Sequence, residues 1–134
     1  MEPELIVKKM MKNDLFSQWL NIKLITTNYG ESKISTIINK NMTNGFKIAH
    51  GGICYSLADS CLAFAANSKG NIALTKKSTI RYFKKVEIND QLTAHAVEDK
   101  ETENSYVVNV INQNKEIVAE FKAKVHYTST KWVN

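Results

Sequence analysis

Residues 50 to 70 read HGGICYSLADSCLAFAANSKG. From Ile53 to Ala66, small and apolar residues fall on every side of a helical wheel, the pattern of a helix buried nearly all round. Gly51 and Gly52 stand just ahead of it, and the run from Asn67 to Gly70 supplies a stop. Within that helix lies one carboxylate, Asp59. Aspartate is a poor mid-helix residue and costly to bury, so something in the folded protein has to compensate for it.

Around this helix the chain reads as short helices, strands and turns. PELIVKKMM (3–11) and DLFSQWL (14–20) are short amphipathic pieces, with Pro3 suited to a first helical turn and Asp14 to an N-cap. NIKLITTNYG and ESKISTIINK (21–40) are strand-like runs joined by a hairpin turn at NYGES, and the loop NMTNGFKIAHGG leads into the long helix. From Ala73 onward the chain reads as about four strands. The clearest has Ile117, Ala119, Phe121, Ala123, Val125 and Tyr127 on one face and Glu120, Lys122, Lys124 and His126 on the other. QLTAHAVEDK and NSYVVNVINQNKEIVAEF form a meander with NQNK as its last turn. This order predicts an α+β fold, an antiparallel sheet wrapped around one central helix, as a single domain over residues 1–134.

Composition narrows the function. A chain of 134 residues is long enough for one real core and short for two. No run approaches the roughly 18 apolar residues of a membrane span, and the charged start MEPELIVKKMMKN lacks a signal-peptide core. The expected setting is therefore the cytoplasm, with no membrane partner. Cys54 and Cys61 lie about 10 Å apart along a helix, beyond disulfide reach, and fit a reducing compartment as small core residues. The net charge of +5 comes from lysines spread over most elements, so no nucleic-acid partner is expected. There is no G-x-S-x-G elbow, P-loop or dinucleotide fingerprint. His50, His95 and His126 lack ligand-like spacing, so neither a metal nor a cofactor is expected, and His95 and His126 read as surface residues.

What remains is the NGFKIAHGG loop and Asp59. Two glycines before a helix leave backbone N–H groups unpaired at the positive end of its dipole, where a developing oxyanion is well received. The alternative is that Gly51 and Gly52 only allow a tight turn. For Asp59, the alternative is a structural carboxylate hydrogen-bonded to a neighbouring backbone or lysine.

NGFKIAHGGICYSLADSCLAFAANSKG resembles the signature of the phenylacetic acid degradation-type thioesterases of the hotdog superfamily, with its Asn-Gly loop, His-Gly-Gly and Leu-Ala-Asp. The likeness runs through STIRYFKKVEINDQLTAHA and EIVAEFKAKVHY, over roughly residues 20 to 127. It implies a hotdog fold, with a curved sheet around a long helix, and hydrolysis of acyl-coenzyme A. By the same resemblance the catalytic carboxylate falls on Asp59 and the N–H that polarises the thioester carbonyl on Gly51. The loop Asn that places substrate or water falls on Asn44, and the hydroxyl that steadies the attacking water on Thr75. His50 matches the motif as either a catalytic or a loop-ordering residue. Where many relatives have Arg-Pro and then Gly-Asp, this chain has Lys84-Lys85 and Asn89-Asp90. Asn tolerates the left-handed backbone that Gly supplies, and the two lysines can offer charge to coenzyme A phosphates or serve as ordinary surface residues.

Spacing adds an expectation about assembly. Gly51 and Asp59 stand about 12 Å apart along a helix, whereas a reacting carbonyl must lie roughly 3 Å from both donor and attacking group. Two chains are therefore expected to share each site, Gly51 and Asn44 of one facing Asp59 and Thr75 of the other in a homodimer, paired further into a homotetramer. Asp59 acts as nucleophile or general base, and the thiolate leaves without a strong acid. Aryl-acyl and short- or medium-chain thioesters all remain open, with Phe46, Tyr55 and Phe64 as candidate walls of the acyl pocket. The rival readings are a non-catalytic acyl-coenzyme A binding module, a hotdog hydratase and a nucleic-acid-binding domain.

Overall fold

Seven of the described residues adopt a left-handed backbone, and all of them lie in connections between elements: Asn21, Gly30, Lys47, Gly70, Asn89, Asn104 and Lys115. Asn89, at φ 74°, makes the turn before β4, a backbone that asparagine tolerates, and its N–H donates to the Ile38 carbonyl at 2.8 Å. The computed structural model describes residues 1–133. Its elements are α1 (Pro3–Asn13), α2 (Leu15–Trp19), β1 (Lys23–Asn28), β2 (Glu31–Ile37), α3 (Gly51–Asn67), β3 (Asn71–Tyr82), β4 (Gln91–Glu98), β5 (Ser105–Ile111) and β6 (Ile117–Lys131), with a single 3₁₀ turn at Lys40–Met42. Asp14 caps α2 as expected, accepting the Ser17 N–H at 3.0 Å.

The strands form one antiparallel sheet in the order β1-β2-β4-β5-β6-β3. Every strand touches α3, so the sheet wraps the helix in the hotdog arrangement that the resemblance implies. Alternation builds the core: Ile34, Leu92, Ala94, Ala96, Val108, Val110 and Phe121 point inward and are fully buried, together with Leu57, Ala58, Cys61, Leu62 and Ala65 of the helix. The alanines on β4 and α3 let backbone approach backbone. On the outer face, His95 Nε2 is hydrogen-bonded to the Glu31 carboxylate at 2.6 Å, and this contact holds the Glu31 carboxyl below its usual range. No helix among the described residues is long and apolar enough to cross a membrane.

One expectation needs correction. Helix α3 is not buried all round in a single chain: Tyr55, Ser56, Asp59, Ser60 and Ala63 form a half-exposed stripe at i, i+4 spacing. The sheet ends at β3, whose outer edge pairs with nothing among the described residues, and α2 meets the stripe through a Ser17–Ser60 hydroxyl contact of 2.9 Å. Asp59 therefore escapes the full penalty of burial that its apolar neighbours suggest.

Candidate active site

The loop before α3 is folded back on itself by its own polar groups. Asn44 Oδ1 accepts the Phe46 N–H at 2.9 Å, and the Asn44 N–H donates to the Ile48 carbonyl at 2.9 Å. The Ala49 N–H reaches Val86 O at 2.7 Å and the His50 N–H reaches Met42 O at 2.8 Å, which fixes where the helix starts. His50 is the N-cap: its Nδ1 accepts the Gly52 N–H at 2.9 Å, so in this tautomer the ring proton is on Nε2. The Ile53 N–H is taken by the His50 carbonyl at 2.9 Å. Among the described residues, the Gly51 N–H is left without an acceptor.

The two glycines have different reasons to be there. Neither has a positive φ, so a left-handed backbone is not what calls for glycine at either position. At Gly52 a Cβ would lie 3.2 Å from His50 Nδ1, crowding the cap. At Gly51 it would meet nothing closer than the Tyr82 hydroxyl at 3.4 Å, an ordinary contact, so folding alone does not demand glycine. What a side chain there would fill is a cavity of about 350 Å³. Asn44, His50, Gly51, Tyr82, Lys84 and Lys85 border it, with Ile48, Ala49, Cys54 and Val86 as an apolar lining. Burial pushes the Cys54 thiol up to about 11, so it is a neutral lining group and no nucleophile. Lys84 is ion-paired to Glu116, whose carboxyl it holds below the usual range, and Lys85 lies 3.6 Å from Glu87. Five of the seven residues singled out in the sequence, Asn44, His50, Gly51, Lys84 and Lys85, thus meet in one cavity.

The other two, Asp59 and Thr75, form a pair of their own two turns along the helix, with Thr75 Oγ1 donating to Asp59 Oδ1 at 3.0 Å. This pairing depends on a β-bulge. Lys77 pairs with Lys124 and Thr75 with Val125, so Lys76 is an extra residue on β3. Without it, simple alternation from Ser78 would turn Lys76 inward and Thr75 away from Asp59. The pair belongs to a seam of contacts between α3 and β3. Tyr82 donates to the Gly51 carbonyl at 2.9 Å, Tyr55 meets Ser78, and Thr75 meets Asp59, all at i, i+4, i+8 spacing along the helix. Of the candidate acyl-pocket walls, Phe64 is fully buried core, Phe46 is 85% exposed on the loop, and Tyr55 is half-buried edge-on against Phe121 at 5.1 Å. Phe64 is therefore no wall, because the helix turns that position toward the sheet.

The sequence profile of the thioesterase superfamily matches residues 46–118, a span holding the helix start, the Asp59–Thr75 pair and both lysines. The chain belongs to the thioesterase superfamily. As a member of it, the protein is a thioester hydrolase. It is 33% identical over 120 residues to the Escherichia coli acyl-coenzyme A thioesterase PaaI, covering 87% of this chain and 85% of that one. A putative esterase of Archaeoglobus fulgidus is 31% identical over 119 residues, covering 87% and 77%. The solved structure of E. coli PaaI superposes with a TM-score of 0.91 at 29% identity, covering 96% and 95% of the two chains. A Streptococcus mutans protein solved with acetyl coenzyme A bound matches with a TM-score of 0.75 at 27% identity over 84% of this chain and 92% of that one. As a thioesterase, the chain presents two polar groupings that sequence reasoning located. Tyr82 and the bulge at Lys76 were missed. For Tyr82 the available signal was the end of the strand run STIRYF, where a tyrosine reaches the helix start. The bulge leaves no such mark.

Proposed function

We propose that this thioesterase hydrolyses acyl-coenzyme A at a site shared between two copies of the chain. The observation that carries the reading is a division: Gly51, with its unpaired N–H, borders a cavity with two lysines, while the only carboxylate–hydroxyl pair on the helix lies about 12 Å away on an open stripe. The long β3 edge offers the means of joining them. Two copies paired antiparallel about Thr79 match the inward Ser78 with the inward Ile80. The bulge then sets Thr75 opposite the Tyr82 of the other copy, behind which lies Gly51.

In this assembly the thioester oxygen rests on the Gly51 N–H, and the free Asn44 Nδ2 can donate to substrate or water, since Asn44 Oδ1 is already engaged by the loop. Asp59 of the other chain attacks the carbonyl carbon, or takes a proton from a water that does, with Thr75 holding the carboxylate. The C–S bond breaks and the electron pair leaves with coenzyme A thiolate; where Asp59 is the nucleophile, water then hydrolyses the acyl–Asp59 anhydride, and by either route the products are free acid and coenzyme A. A bound acyl group, aryl or short to medium chain, would reach the stripe of Tyr55, Ser56 and Ser60. Complementation tests the shared site. Mixing an Asp59→Asn chain with an Asn44→Ala chain leaves each mixed dimer one intact site, so a statistically exchanged mixture is expected to regain about a quarter of wild-type activity from two nearly inactive parents. No gain after verified subunit exchange would refute the sharing.

Lys84 and Lys85 are assigned to the phosphates of coenzyme A, as point charges rather than bidentate partners. Replacing both with glutamine is expected to raise KM for acyl-coenzyme A roughly tenfold and to leave hydrolysis of the matching acyl-N-acetylcysteamine thioester unchanged, because that substrate lacks phosphates. Equal effects on both substrates would remove the lysines from phosphate binding.

A further inference from the structure

Tyr82 occupies the last position of β3, inward-facing opposite Ala119, and its ring lies along the start of α3. Its hydroxyl donates to the Gly51 carbonyl at 2.9 Å. The amide that follows belongs to the same peptide plane: it joins Gly51 to Gly52, and the Gly52 N–H is held by His50 Nδ1 at 2.9 Å. Two side chains from different parts of the chain thus grip the two ends of one peptide group. That peptide links adjacent glycines, the residue type with the most backbone freedom to lose, at the helix end where hydrogen bonding is least complete. The preceding peptide carries the free Gly51 N–H, and its direction follows from the torsions at Gly51 once the next peptide is fixed.

We propose that Tyr82 is a positioning residue for the oxyanion donor, clamping the Gly51–Gly52 peptide against His50 so that the Gly51 N–H keeps its aim into the cavity. The inference rests on the reading of Gly51 as that donor. Oriented donors contribute most to a transition state when no reorganisation is needed as charge develops, and a loose Gly-Gly step would require it. Burial raises the Tyr82 phenol above its usual range, so the hydroxyl remains a donor across the pH range of an assay.

The fold supplies a matched control. At the far end of the same helix, the Tyr127 hydroxyl donates to the Ala66 carbonyl at 3.1 Å, again a tyrosine tying a strand to a main-chain carbonyl of α3. Tyr127→Phe removes a bond of the same kind, together with the contact to the Tyr106 hydroxyl at 2.5 Å, and Tyr127 makes no hydrogen bond to either polar grouping. Kinetics are measured on whichever of acetyl, octanoyl and phenylacetyl coenzyme A the wild type turns over fastest. Tyr82→Phe is expected to lower kcat on the order of tenfold with KM within about twofold, and to speed amide exchange at Gly52. Tyr127→Phe is expected to lower the melting temperature at least as much and to keep kcat within about twofold. Wild-type kcat in Tyr82→Phe, or an equal loss in Tyr127→Phe, overturns the proposal. Gly51→Pro separates the two levels: if it is fully active, the donor reading itself fails, and if it is inactive while Tyr82→Phe is normal, only the role of Tyr82 fails.

Discussion

Asp59→Asn is expected to lower kcat by roughly a thousandfold or more while leaving the protein folded, because it removes the attacking or proton-accepting group and little else. The side chain is half-exposed on the open stripe of α3, and its recorded partner is the Thr75 hydroxyl at 3.0 Å. An asparagine Oδ1 can accept the same hydrogen bond, and the two residues have similar helix propensity, so the stability change should stay within about 1 kcal/mol. Thioester cleavage followed by thiol release, alongside thermal unfolding, measures both quantities. An active Asp59→Asn enzyme would move the chemistry elsewhere, whereas an inactive but unfolded one would leave the carboxylate a structural residue. Leu57 and Ala58, the two residues before it in the helix, show the contrast: both are fully buried, and neither can be changed to a polar residue without cost to the fold.

Much of this architecture was legible because local chemistry and global fold agree. Most of the alternation on β6 survives, with Ala119, Phe121, Ala123 and Val125 buried and Lys122, Lys124 and His126 exposed, but Ile117, expected on the buried face, is exposed and Val118 is buried in its place. Asn89 and Gly30 turn where the turn residues say they should. The helix start was legible for the same reason, since His50, Gly51 and Gly52 have few roles other than a cap and an open N-terminus. Three things depended on distant parts of the chain and left no local mark. The open stripe of α3 exists because the sheet stops at β3, and Tyr55 and Ala63 look as apolar as true core residues. The inward turn of Thr75 depends on Lys76 being the odd residue of a bulge, which alternation alone assigns the wrong way. The Lys84–Glu116 pair joins residues 32 apart in sequence, so nothing local to Lys84 marks it.

Gly51→Pro removes a single hydrogen-bond donor from the helix start and should keep the helix. Proline is favoured at the first helical position, where the N–H has no intrahelical acceptor, and here the Gly51 N–H has none among the described residues. The residue before a proline must be extended, and His50 already is, at φ −60° and ψ 138°. The one added strain is the ring's approach to the Tyr82 hydroxyl, which a Cβ would meet at 3.4 Å. Loss of an oxyanion donor is expected to reduce kcat by about 10² to 10³. Gly51→Ala separates donor from space: it keeps the N–H and adds only a methyl group in the cavity, so it should raise KM more than it lowers kcat. If proline and alanine variants lose activity alike, with kcat preserved in both, the role of Gly51 is to leave room for the substrate and the oxyanion is stabilised by another group. If proline alone abolishes turnover in a chain that melts near the wild-type temperature, the free N–H at the start of α3 is the donor that polarises the thioester.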